Sequence, residues 1–137
     1  MKEIFRKILC PIDFNRISIP ALELARMIAT QNRATVYLLY VIPRVKPAKL
    51  LADMEQVARD NLRAVARKWL AGNVRHEIVV RTGTPASAVL KAQADLGIDL
   101  VVMATHGRTG KDYARLGSVA EEVVRRSTRP VTTIRPR

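Results

Sequence analysis

The chain has 137 residues, 48% hydrophobic and 26% charged, with 24 Lys and Arg against 12 Asp and Glu and a formal net charge of +12. That length builds one core and excludes two, so residues 1–137 are read as a single domain. Aromatics at 4% leave the core to aliphatic side chains and supply no interleaved stacking platform for bases, a lone Cys10 excludes an internal disulfide, and no apolar run reaches membrane-spanning length.

The first element is "KILCPID" (7–13), an apolar run that reads as a buried strand ending at Pro11 or Asp13. Ser18 then stands as a helix cap, and Pro20 falls in the first turn, where a missing N–H costs little. "TVYLLYVI" (35–42) is almost unbroken in its apolar character, as a strand of a parallel sheet covered on both faces requires. From about Lys49 to Ala71, Met54, Ala58, Leu62, Val65 and Trp69 recur at three- and four-residue spacing, one apolar helix stripe, with Gly72 as its stop.

"HEIVVRT" (76–82) alternates and predicts an edge strand, with His76 structural or exposed. Thr84 and Pro85 open the next helix and Gly97 closes it. "DLVVMAT" (99–105) is a second central strand. The last helix is expected to start at Ser118, with Glu121 three residues on completing a capping box, and "PVTTIR" (130–135) forms the other edge behind Pro130. Strand and helix therefore alternate five to four, and right-handed crossovers wind such a chain into a doubly wound α/β fold with a parallel sheet.

In such sheets ligands bind beyond the carboxyl ends of the strands, where the strand order reverses. The loops after the first, second and fourth strands are thus the candidates. They hold Pro11, Ile12 and Asp13, then Val41 to Pro43, then "MATHGRTGKDYARLGS". The third of these reads two ways. Glycines, His106, Arg108 and Lys111 beside a helix start suit a phosphate, because free amides and the helix dipole favour an anion. The same glycines also suit a plain turn and helix cap. "GRTGKD" lacks the spacing of a Walker loop, and no G-x-G-x-x-G follows the first strand. Asp13 suits a ribose hydroxyl or a phosphate-bound Mg²⁺, and equally a turn aspartate. No paired carboxylate, nucleophile elbow or Cys/His cluster marks a hydrolase.

"KILCPIDF", "GTPASAVLKAQADLGIDLVVMATHGRTG" and "LGSVAEEVVRRSTRPVTTIR" together resemble the universal stress proteins over nearly the whole chain. ATP-binding members carry G-x-x-G-x9-G-[ST]. Gly107, nine residues, and Gly117-Ser118 reproduce its second half, and Ala104 stands at the first glycine. The resemblance implies an adenine nucleotide alpha hydrolase-like fold, a five-stranded parallel sheet in the order 3-2-1-4-5 with helices on both faces. It implies ATP, with or without Mg²⁺, held by Pro11, Ile12, Asp13, Val41, Met103, Ala104, His106, Gly107, Arg108, Gly117, Ser118 and Val119, with Val41 against the adenine. It also implies a homodimer through residues Pro130 to Arg135, where an edge strand has backbone groups to pair.

The reading is an ATP-binding regulatory module of the cytoplasm, with no metal held by protein side chains beyond Asp13 acting through Mg²⁺, an unidentified protein partner, and neither a membrane nor a specific nucleic acid. At most it is a weak ATPase. The alternatives are a slow Mg-dependent ATPase or phosphotransferase, and a stress protein without nucleotide that works through protein or nucleic-acid contacts, for which the positive charge is the only support.

Overall fold

The computed structural model describes residues 4–14, 18–44, 47–70, 72, 74–105 and 117–135. Its elements are β1 (Lys7–Pro11), α1 (Ile19–Asn32), β2 (Thr35–Ile42), α2 (Ala48–Trp69), β3 (Arg75–Thr82), α3 (Pro85–Leu96), β4 (Leu100–Ala104), α4 (Ser118–Arg126) and β5 (Val131–Ile134). The strands form one parallel sheet in the order β3-β2-β1-β4-β5. This is the expected order.

Alternation along each strand divides the core in two, because successive side chains leave opposite faces. Ile8, Cys10, Val36, Leu38, Leu100 and Val102 pack with α1 and α2, through Leu22, Ala25, Ala58 and Leu62 among others. Leu9, Leu39, Val79, Val101 and Met103 pack with Ala86, Val89 and Ala92 of α3 and with Ala120 and Val123 of α4. Both faces are covered, which is why β2 and β4 read as unbroken apolar runs rather than alternating ones. Met54 and Trp69 of the α2 stripe are only partly buried, at the margin of the first cluster.

Most helix ends fall where the sequence puts them. Ser18 Oγ accepts from the Ala21 N–H at 3.3 Å, and Gly97 adopts φ +66°, a left-handed conformation that suits glycine, at the end of α3. The start of α4 differs. Its N-cap is Gly117 rather than Ser118, and no described side chain caps it. Glu121 reaches forward instead of back, accepting from Arg125 at 2.6 Å, and Glu122 likewise accepts from Arg126. With the cap one residue earlier, Glu121 no longer has Ser118 as its capping partner, and i,i+4 arginines compete for both acids.

At the opposite end of the sheet, Asp99 Oδ2 accepts from the backbone N–H groups of Arg6 and Lys7 at 2.9 and 3.0 Å, joining the starts of β1 and β4. The two outer strands, β3 and β5, are those expected at the edges. His76, expected to be structural or exposed, is exposed on β3.

Candidate functional site

β1 lies between β2 and β4, so the chain turns in opposite directions from it to reach its two neighbours. That reversal leaves a crevice at the carboxyl ends of β1 and β4. The backbone ladder runs one residue past β1, with Ile12 N–H donating to Leu39 O at 2.8 Å, and so fixes where Asp13 leaves the sheet. Phe14 next to it stacks on Tyr40 with ring centroids 4.4 Å apart, which ties the turn after β1 to β2. On the other side, Thr105 N–H donates to Ile134 O at 2.9 Å and continues the β4–β5 pairing beyond Ala104.

A cavity of about 620 Å³ opens there. Nine of the residues nominated from the sequence line it: Pro11, Ile12, Asp13, Val41, Met103, Ala104, Gly117, Ser118 and Val119. The other three, His106, Gly107 and Arg108, lie outside the described residues, as does Lys111. The size is that of a pocket for a ligand of nucleotide scale. Its apolar wall is drawn from Leu39, Val41, Val89 and Met103, and Asp13, exposed to solvent, is the one carboxylate among the described lining residues.

Pro43 and Thr105, both within the candidate loops, line it too, whereas sequence reasoning did not foresee Ser18 and Pro85 at this cavity, nor Leu39, Tyr40, Val89 and Ala120. A signal for Ser18 and Pro85 existed. In a βαβ unit each helix begins beyond the carboxyl end of a strand, so the starts of α1, α3 and α4 must all approach the crevice. Three positive helix ends therefore meet around it.

The three starts are not equivalent. In α1, Pro20 has no N–H and the Ala21 N–H is taken by Ser18 Oγ. In α3, the first position is Pro85, again without a donor, while Ala86 and Ser87 have no side-chain cap on their N–H groups. Helix α4 has neither a proline in its first turn nor a described side chain as cap, so Ser118, Val119 and Ala120 keep their N–H groups for a ligand. Gly117 adopts φ −64° and ψ 159°, open to any residue, so its fitness here lies in a bare Cα beside those donors and not in an unusual backbone.

The fit to a phosphate is thus carried by backbone. A Mg²⁺ accompanying it would find one carboxylate, Asp13, which matches a cation that takes few protein ligands and several phosphate and water oxygens. Among the described residues no group of three or more His, Cys, Asp or Glu is placed to hold a metal by itself. Cys10 supplies no nucleophile. It is wholly buried, and desolvation pushes its thiol up to about 12.

Residues 4–135 match the universal stress protein family. The chain belongs to that family. It is 32% identical to a universal stress protein of Methanothermobacter thermautotrophicus, over 90% of this chain and 91% of that one. Among solved structures it is similar to protein MJ0577, with 25% identity, a TM-score of 0.83 and 98% of each chain covered; MJ0577 is a universal stress protein of Methanocaldococcus jannaschii. The same fold recurs in a universal stress protein in complex with cAMP, 24% identical with a TM-score of 0.71 over 98% of this chain and 99% of that one. It recurs also in one from Archaeoglobus fulgidus in complex with dAMP, 20% identical with a TM-score of 0.65 over 96% and 98%. No helix among the described residues is long and apolar enough to cross a membrane.

Proposed function

We propose that this universal stress protein is an ATP-binding regulatory module that acts as a homodimer, with little or no hydrolysis. The observation that carries the reading is the cavity at the reversal of strand order, where α4 presents the N–H groups of Ser118, Val119 and Ala120 with neither a proline nor a described side-chain cap among them. The motif Gly107-x9-Gly117-Ser118 lends support, as do the relatives with cAMP and dAMP, whose ligands share the adenine and a phosphate. In this reading the phosphates meet Gly117 to Ala120, Asp13 meets the ribose or a Mg²⁺, and the base rests on the apolar wall near Val41. When bound, Mg²⁺ would neutralise phosphate charge.

The described lining supports the reading of weak hydrolysis. One exposed carboxylate, with no second acid or histidine among the described lining residues, gives water no well-placed base. The second reading, a slow Mg-dependent ATPase, rests on Asp13. The two separate in one experiment: nucleotide released from the purified, denatured protein is identified by mass spectrometry, and phosphate release is then followed for the native chain and for Asp13→Ala. Retained ATP with no steady release supports the regulatory module. Steady release that vanishes in Asp13→Ala while ATP still binds supports the enzyme, and no ATP binding at millimolar nucleotide with Mg²⁺ rejects both.

Dimerisation is proposed through β5. Val101 and Thr105 donate to the carbonyls of Pro130 and Ile134, so the two-residue period turns the backbone groups of Val131 and Thr133 away from β4. A second copy of the strand would pair them. A cytoplasmic setting and a protein partner that reads the nucleotide state complete the proposal.

A further inference from the structure

The register of the sheet sets one residue of each strand at a common level across its amino ends. Arg75 pairs with Thr35, Thr35 with Lys7, and Lys7 lies opposite Asp99, one residue before the Ile8–Leu100 pair. Arg129 stands two residues before Val131, as Asp99 does before its partner Val101, and closes the row beside β5. Strands lie about 4.8 Å apart, so Arg75, Lys7 and Arg129 recur on alternate strands along roughly 19 Å. Arg6 and Arg33 adjoin the row: Thr35 N–H donates to Arg6 O at 2.9 Å, and Arg75 Nη2 donates to Arg33 O at 3.3 Å.

All five cations are exposed, and none has a carboxylate partner among the described residues. The single acid of the row, Asp99, is spent on the backbone N–H groups of Arg6 and Lys7. Helices α1 to α4 also end at this edge, and their negative ends call for cations. Lys7 meets that need at the Leu96 carbonyl, at 3.0 Å, and Arg75 at that of Arg33. The side chains of Arg6, Arg33 and Arg129 make no hydrogen bond among the described residues. Arg33 also adopts φ 52° and ψ 42°, a left-handed conformation that glycine takes at lower cost, so the arginine there brings a charge that the fold does not use.

A line of cations answers a line of anions. A duplex carries one negative charge per about 1.7 Å of its axis, so roughly 19 Å of it brings about eleven phosphates to the row. Phe5, next to Arg6, is half-buried against the core, so the row has no aromatic platform for the unstacked bases of a single strand. The row also runs in one dimension, as a rod requires and a lipid surface does not.

We propose that the amino edge of the sheet is a sequence-independent docking surface for the backbone of double-stranded nucleic acid, with Arg6, Lys7, Arg33, Arg75 and Arg129 against phosphates. The nucleotide cavity opens at the carboxyl ends of the same strands, so the two sites lie at opposite ends of the sheet. The surface rests on no assumption about ATP.

The test is fluorescence anisotropy of the full chain with a labelled DNA duplex of about 20 base pairs, and with an RNA duplex of the same length, from about 50 to about 200 mM salt. The tighter of the two arms names the source of the backbone. Expected is a slope of log affinity against log salt near −4.5, about 0.9 for each of five phosphate contacts. Arg6→Gln, Arg33→Gly and Arg129→Gln combined are expected to bring the slope to about −2 and to weaken binding at about 100 mM salt by about a hundredfold. A thermal melt checks that this variant folds, and Arg33→Gly alone, which relaxes the backbone, is expected to remove about one unit of slope. A charge-matched control, Arg26→Gln, Lys49→Gln and Lys91→Gln at exposed helix positions, is expected to leave the slope nearly unchanged. Equal losses in the two triple variants mean attraction by net charge alone and overturn the proposal. So does the absence of duplex binding up to about 100 μM protein at about 50 mM salt. Tighter binding to vesicles of phosphatidylcholine and phosphatidylserine than to either duplex gives the row to a membrane and overturns it as well.

Discussion

The Gly117 N–H donates to the Thr105 carbonyl, so the last described residue after β4 and the first before α4 are joined by one hydrogen bond. The bond aligns the α4 start with the end of β4, and through Thr105 N–H to Ile134 O it is continuous with β5. Gly117 sits directly before the three amides that α4 leaves for a ligand. A side chain added at this point is the sharpest probe of the cavity.

Gly117→Val is expected to leave the fold intact, because φ −64° and ψ 159° lie in the extended region that valine adopts readily. Its branched side chain, next to Ser118 and Val119 in the cavity wall, is expected to lower ATP affinity by about tenfold or more. Calorimetric titration with Mg-ATP and a thermal melt check the two halves of this expectation. Unchanged affinity would remove the α4 start from the site.

At β5, Thr133→Pro should separate dimerisation from folding. The Thr133 N–H faces away from β4, so proline removes no hydrogen bond within the sheet, yet it takes a donor from the open edge. Sedimentation equilibrium is expected to give a monomer with an unaltered far-ultraviolet spectrum. A dimer that persists would place the interface elsewhere.

Ser18→Ala removes the acceptor that holds the Ala21 N–H at the start of α1. A loss of about 1 kcal/mol in denaturant unfolding is expected, the ordinary worth of a serine cap. The same variant also frees an N–H on the cavity side, so ATP affinity is expected to stay level or rise, whereas Gly117→Val lowers it. A stability unchanged by the substitution would mean that the cap contributes nothing here.

Burial of Cys10 gives a prediction in alkaline solution. Its thiol ionises near 9.0 when unfolded and is raised to about 12 in the native core, so the folded chain holds a proton that the unfolded chain has released. The contribution is fully present below pH 9 and is lost as pH rises from about 9 to about 12, at up to about 1.4 kcal/mol per unit. Unfolding free energies of the native chain and Cys10→Ala, compared over that range, are expected to converge at high pH by this amount. Native Cys10 should also resist thiol reagents until the protein unfolds.

Local chemistry determined much of this protein before any coordinate. Unbroken apolar runs at 35–42 and 99–105 are legible as central strands because a sheet covered twice leaves no polar face, and Ser18, Pro20, Pro85 and Gly97 mark helix ends through backbone requirements that act within a few residues. The same local reasoning failed at Ser118 and Glu121. A capping box and an i,i+4 ion pair draw on the same acid, and only the position of the cap, at Gly117, decides between them. Nine of the nominated residues could be named from loops after strands, whereas Ser18, at the far end of the loop after β1, and Pro85, after the edge strand β3, join them only because crossovers bring three helix starts to one crevice. The Gln93 amide was likewise invisible: glutamine on a helix reads as surface, and only the packing of α3 against the end of α4 buries it beside Ser127. Pattern along the chain settles which residues face inward, because that depends on period. Which inward or loop residues share a site depends on strand order, and order exists only in the assembled sheet.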